Sequence, residues 1–234
     1  MDADQVAALR AILSNTGWLE RAGIFGRALR TSVRTPGGLL VVGTPAEEPW
    51  HLTAHLDEES RLSGIAELTP TLVRWSPPPG APAHLSVSVS RLEEARRGET
   101  LFVVAPDAAP APLLERVNDA RHAGATILAL DQGDPELDDL AHEYLTIPAA
   151  GSAGAGQPPA ALDPRRSGPR TFSPRTFDQA ELASRTGLLT FDAAQHLVSA
   201  AAGDRRSPAP SRGVRSLRGK LARFLDAVSG PSAR

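Results

Sequence analysis

A chain of 234 residues is long enough for one full-sized core with appendages. It contains no cysteine, which excludes disulfides, thiol catalysis and thiolate-ligated zinc or iron–sulfur centres. The formal net charge of −2 conceals an asymmetry: eight basic residues against two aspartates within 204–234 give +6, which leaves −8 for residues 1–203. No run of 18 apolar residues is present, so no transmembrane helix is expected. Asp2 and Asp4 stand where a secretory signal would be basic, and a cytoplasmic protein is the expectation.

In chain order, Asp2–Leu13 places Val6, Leu9, Ile12 and Leu13 on one helical face. Thr16 caps a second helix that runs to about Val33, with Leu19, Ile24, Leu29 and Val33 available for burial. After the turn Pro36-Gly37-Gly38, Leu39–Val42 is a strand ending at Gly43. Pro45–Arg61 is expected as a helix whose first turn holds Glu47 and Glu48, favourable at the positive end of the dipole. Thr69–Trp75 reads as a strand, Pro77–Pro82 as a loop and Leu85–Arg97 as a helix.

The stretch 98–148 organises the rest. Thr100–Ala105 is a short apolar run suited to a buried strand. Pro110–Ala123 carries Leu113, Leu114, Val117 and Ala120 at helical spacing, with Gly124 as its C-terminal stop. Ala125–Leu130 is a second buried strand, Asp134–His142 a short acidic helix, and Tyr144–Ile147 a third strand ending at Pro148. Short turns between strand and helix imply right-handed crossovers. The expected fold class is α/β: a doubly wound, parallel five-stranded sheet flanked by helices, with a flexible linker and C-terminal helices.

Beyond Pro148 the composition changes. Residues 149–175 are rich in Gly, Pro, Ala, Ser and Arg and read as a linker. Helical periodicity returns at Phe177–Ala202, within a segment 176–202 expected to fold back on the first domain, 1–148. Residues 203–213 form a second linker, and Val214–Val228, within 214–229, is a basic amphipathic helix with Val214, Leu217, Leu221, Phe224, Leu225 and Val228 on one stripe.

Two N-terminal helices, a glycine-ended strand, the alternation that follows and a returning helix together resemble a sugar isomerase (SIS) domain of the phosphoheptose isomerase type. The resemblance covers roughly residues 5–148 and, more weakly, 177–202. Its best local matches are LLVVG at 39–43, WHLTAHL at 50–56, AGATILAL at 123–130 and LDDLAHEYLTIP at 137–148. It implies a sugar-phosphate site built from the turns after two strands, a base and metal site on the helix after the first strand and on the returning helix, and pairing into homodimers.

On this chain the implied ligand turns contain Gly43, Thr44, Glu47 and Asp107, and the implied catalytic positions are His51, His55 and His196. The chain departs from the pattern at several of them. The first turn is Gly43-Thr44-Pro45-Ala46-Glu47-Glu48, in which only Gly43 and Thr44 suit phosphate; the second, Ala105-Pro106-Asp107-Ala108-Ala109-Pro110, has no hydroxyl. Pro45, Pro106 and Pro110 have no N–H to donate. A carboxylate about 4 Å from a phosphate charge costs about 4 kcal/mol at an effective dielectric near 20, against about 0.3–2 kcal/mol gained from a helix N-terminus. His55 stands where the family uses a carboxylate, and Gln195-His196 does not reproduce the usual Gln/His pair.

The reading is therefore a degenerate, non-catalytic SIS-domain protein that binds a carbohydrate derivative or a protein partner. An active aldose–ketose isomerase of sugar phosphates is the alternative, and an interaction module acting through 214–229 is a third. No cofactor and no metal are expected; were a metal held, His51, His55 and His196 would be its ligands, with an open fourth position. The plainer view of these histidines is partial exposure on a helix or hydrogen bonding at an interface. Trp50 and Trp75 could wall a sugar pocket, although packing in a core or dimer interface is the simpler use of their area. Asp131-Gln132-Gly133-Asp134 reads as a turn and helix cap. A homodimer is expected, with an interface on the order of 2,000 Å² or more. A protein partner for 214–229 is possible, a nucleic acid is not expected, and a membrane surface is disfavoured because Phe224 is the only aromatic on the stripe.

Overall fold

Five apolar runs form five parallel strands in the computed structural model, which describes residues 18–147 and 190–204. The strands are β1 (Leu39–Gly43), β2 (Pro70–Val73), β3 (Thr100–Ala105), β4 (Thr126–Asp131) and β5 (Glu143–Thr146), in the order β2-β1-β3-β4-β5. The chain reverses its winding between β2 and β3, with β1 and β3 side by side in the middle. Register runs Leu39 to Thr100, Thr100 to Thr126 and Leu128 to Glu143. Every residue of β1 and β3 is buried, as a parallel sheet covered on both faces requires.

Alternation along the strands divides the core in two. Leu39, Val41, Phe102, Val104, Leu128 and Leu130 face one layer, made by α1 (Trp18–Ser32), α2 (Trp50–Ser63) and α5 (Phe191–Ala202). Leu40, Val42, Leu101, Val103, Ile127 and Ala129 face the other, where α3 (Ala111–His122) supplies Leu113 and Val117 and α4 (Pro135–Leu140) supplies Leu137. The returning helix α5 packs across both α1 and α2. A Cβ on Gly26 would lie 2.6 Å from Ala201, so α1 and α5 cross at near backbone contact. Arg30 fixes the end of α5, its Nη1 donating to the carbonyls of Ala202 at 3.2 Å and Asp204 at 2.6 Å.

Two expected helices are corrected. The first, Pro45–Arg61, begins only at Trp50, with Pro49 at the N-cap. A proline inside the helix would lack its N–H and press on the preceding turn, so the helix starts after it. Residues 44–49 instead fold back over the end of β1: Glu47 N–H donates to the Thr44 carbonyl at 3.2 Å, and any Cβ on Gly43 would collide with the Glu47 carbonyl. Glu48 thus leaves the helix dipole and forms a two-pronged pair with Arg74, at 2.7 Å for the closest contact.

The second, Leu85–Arg97, contains no α-helix. It holds 3-10 turns at Ala83–Leu85 and Val89–Glu94, and between them Arg74 N–H donates to Val87 O at 2.9 Å while Val89 N–H donates to Arg74 O at 3.0 Å. Ser88 bridges to Arg74 just beyond the end of β2, before the chain enters the 3-10 turn at Val89. The expected helix Asp2–Leu13, the linkers, the first part of 177–202 and the basic helix at 214–228 lie outside the described residues. Among the described residues no helix is long and apolar enough to cross a membrane.

Candidate functional site

The first two turns of α2 carry Trp50, His51 and His55. His51 and His55 stand four residues apart and project from one face. α5 lies against that face and adds His196. Ring centroids are 4.7 Å apart for His51 and His55, 4.8 Å for His51 and His196, and 4.1 Å for His55 and His196. One ring nitrogen from each lies within 4.8 Å of the others, and His51 Nε2 and His55 Nε2 are 3.1 Å apart, one donating and the other accepting. The three catalytic positions implied by the resemblance therefore meet in one cluster.

Burial pushes His196 down to about 4, with further lowering from His55 and His51. Burial likewise lowers His55, His51 beside it lowers it further, and Glu58 opposes the shift. At neutral pH these two rings are uncharged, the form in which an imidazole can ligate a metal ion. A tetrahedral ion about 2.0–2.1 Å from each nitrogen sets its ligand atoms about 3.3–3.4 Å apart. The cluster brackets that spacing, and three imidazoles suit zinc, so the residues fit a metal ion.

Beside the cluster is a cavity of about 540 Å³. The folded-back turn contributes Ala46, Glu47, Glu48 and Pro49, α2 contributes Trp50 and His51, and α5 contributes Asp192 and Gln195. Trp50 is 65% exposed, so it is not a core residue. Trp75 acts elsewhere, where its Nε1–H donates to the Gly43 carbonyl at 2.9 Å and its ring packs on the second core layer. Gln195 is only 4% exposed. Its Nε2 donates to Asp192 Oδ1 at 3.4 Å, while its Oε1 is buried without a hydrogen-bond partner.

Of the ligand positions implied by the resemblance, only Glu47 lines this cavity. Gly43 and Thr44 are buried at the end of β1, and Thr44 Oγ1 has no hydrogen-bond partner. Asp107 is exposed on the second turn, away from the cavity lining. In that turn the Ala109 N–H donates to Asp134 Oδ2 at 2.7 Å. In the first turn the Glu47 N–H goes to the Thr44 carbonyl, and at the start of α2 the Trp50 N–H goes to the Glu48 carbonyl. Asp134 also caps α4, accepting from the N–H of Glu136 and of Leu137, as the turn-and-cap reading of 131–134 anticipates.

Gln195 stands beside His196 in the resemblance to the family, whereas Asp192 was not legible as a site residue. Polar residues are common on helices, and only the placement of α5 shows which of them face the turn.

No protein-family model matches the chain, and no curated protein matches it. Among solved structures, a "putative sugar binding protein" from Salmonella typhimurium LT2 is similar, at 10% identity and a TM-score of 0.38, over 89% of this chain and 55% of that one. The chain thus spans about half the length of that structure. At such a TM-score the likeness carries no functional weight, and the site must be read from its own chemistry.

Proposed function

We propose that this is a SIS-like protein that binds a carbohydrate derivative beside a divalent metal ion held by His51, His55 and His196. The observation that carries the reading is the convergence of these three histidines, from two helices distant in sequence, at the edge of a cavity. This departs from the expectation of no metal, which rested on the loss of hydroxyls in both turns and on the broken ligand set. His55 replaces that carboxylate with a neutral donor, and the set remains chemically complete for zinc.

When bound, the ion would offer a Lewis-acidic position for a ligand oxygen. His51, His55 and His196 hold it, and the hydrogen bond between His51 and His55 must give way as it enters. Asp192 orients Gln195. The turn at 44–49, with the Glu47 N–H engaged and two prolines lacking one, argues against a sugar-phosphate isomerase, and we expect negligible turnover of six- and seven-carbon sugar phosphates. Homodimerisation belongs to the same reading.

The test is metal analysis of the full chain after zinc loading and removal of excess. About one zinc per chain is expected, lost in His55→Ala and in His196→Ala while far-UV circular dichroism is unchanged. A wild-type chain without zinc, or zinc retained in both variants, would remove the metal from the reading.

A further inference from the structure

The cavity beside the histidines has a one-sided chemistry. Its acidic wall presents Glu47, Glu48 and Asp192. Glu48 is matched by Arg74, whose guanidinium holds both of its oxygens and has no reach left for a ligand. The Glu47 side chain has no partner among the described residues, and Asp192 accepts only a long bond from Gln195. Gln195, which lines the cavity, commits its amide donor to Asp192, and its carbonyl oxygen is buried without a hydrogen-bond partner. A buried acceptor without a partner is costly, so a donor is missing here.

At the mouth stands Trp50, a large aromatic surface at the first position of α2, with 65% of its area exposed. An indole in that state seeks an apolar face. The volume of about 540 Å³ falls within the range of small-ligand pockets. The occupant must therefore combine a row of donors with a flat carbon–hydrogen face.

We propose that this pocket takes an uncharged saccharide, one apolar face of its ring on Trp50 and its hydroxyls donating to Glu47, Asp192 and Gln195, and that it rejects the phosphorylated sugar. A phosphate brings acceptors to a wall of acceptors and a negative charge to two uncompensated carboxylates. A divalent ion on the histidines would offset those two carboxylates, so the ligand needs no charge of its own. That last step rests on the metal reading above; the donor demand of Gln195 and the exposed face of Trp50 do not.

The experiment is a titration of the full chain, metal-free and zinc-loaded, with neutral pentoses, hexoses and heptoses, with glucose 6-phosphate and with glucosamine. Tryptophan emission and isothermal calorimetry are the readouts. Trp18 is fully buried and Trp75 is engaged on Gly43, so a ligand-dependent shift reports Trp50.

At least one neutral sugar is expected to give a saturable blue shift, with glucose 6-phosphate at least tenfold weaker than glucose. Trp50→Ala should weaken the neutral sugar at least tenfold, and Glu47→Gln and Asp192→Asn several-fold each, with the melting temperature unchanged. Saturation by none of the neutral sugars at tens of millimolar overturns the inference. So does phosphate binding as tight as the neutral sugar, or glucosamine binding more than tenfold tighter. Insensitivity to Trp50→Ala also overturns it, and would accompany burial of Trp50 between two copies of the chain. Zinc uptake without sugar binding leaves the metal reading standing and sinks this one; sugar binding without zinc uptake does the reverse.

Discussion

Two places in the molecule gather like-titrating groups, and they resolve the crowding in opposite ways. At the junction of α2 and α5, three imidazoles approach within 4.8 Å. At the end of β4, Asp131 is fully buried and sits beside Asp138. The imidazoles shed protons, with His196 pushed down to about 4. The carboxyl pair takes one up: burial, and then Asp131, pushes Asp138 up to about 8, and burial also raises Asp131.

The difference lies in what remains exposed to a ligand. Asp131 Oδ1 accepts from the Gly133 N–H at 2.6 Å, and Asp134 caps α4 and holds the Ala109 N–H; Asp131 Oδ2 and Asp138 Oδ1 are buried without a hydrogen-bond partner, but neither residue lines the cavity beside the histidines. The histidines gather one ring nitrogen each within 4.8 Å, and His51 borders a cavity that Gln195, whose carbonyl oxygen is buried without a partner, also lines. Shifted protonation alone does not mark a site; unused bonding capacity at a cavity does.

The largest expected effect tests that contrast directly. Zinc at about a hundred times its Kd should stabilise the chain by about 2.7 kcal/mol. For a domain of this size that is a rise in melting temperature of about 5–10 °C. His196→Ala should abolish the rise, whereas Asp138→Asn should leave it intact. A zinc response that disappears with Asp138→Asn and survives His196→Ala would reverse the assignment of the two clusters.

Smaller effects follow from pH, and the two clusters should slope in opposite directions. Asp138 has a folded pKa above its ordinary value of 3.8, so the folded state binds the extra proton. Its contribution is greatest at low pH and is lost as pH rises from about 4 through about 8. His196 has a folded pKa below its ordinary 6.5, so its contribution is complete above 6.5 and is lost as pH falls towards 4. Both groups are partly open to solvent, which shrinks the change. The two slopes oppose each other between about pH 4 and 6.5. In metal-free protein, stability in that window should therefore rise with pH in Asp138→Asn and fall with pH in His196→Asn, and above about 6.5 the Asp138→Asn curve should flatten. Parallel slopes in the two variants would show that the clusters are not titrating as described.

Much of this architecture could be read from the sequence, because parallel strands buried on both faces leave continuous apolar runs such as Thr100–Ala105 and Leu39–Val42. Sequence and structure part where local composition and backbone geometry disagree. Pro45, Glu47 and Glu48 suit a helix start, yet Pro49 forbids one before Trp50. Leu85–Arg97 has helical spacing, yet Ser88 bridges to Arg74 beyond the end of β2 and only 3-10 turns form. In the site, His51 and His55 are visible as a pair because i and i+4 fix their face. The meeting with His196 does not follow from spacing, since it depends on where α5 lands, and that landing is set by Gly26 and Arg30 on α1. The role of Trp50 depends in turn on its exposure, which no residue type reveals.

The smallest effect separates the two tryptophans at the mouth of the first turn. Trp75 Nε1 donates to the Gly43 carbonyl at 2.9 Å, where the chain leaves β1 and folds back over its own glycine. Trp75→Phe keeps an aromatic ring and removes the donor, leaving that carbonyl to find water at a crowded turn. The cost should be about 0.5–1.5 kcal/mol by chemical denaturation, the usual worth of one such bond. Trp50→Phe changes a side chain that solvent already surrounds, and should stay within about 0.5 kcal/mol. The loosened turn in Trp75→Phe should also let Glu47 drift from the cavity wall, so sugar affinity should fall in that variant although Trp75 does not line the pocket. If Trp50→Phe proves the more destabilising of the two, Trp50 is buried in solution, and the surface that covers it is the partner copy rather than a sugar.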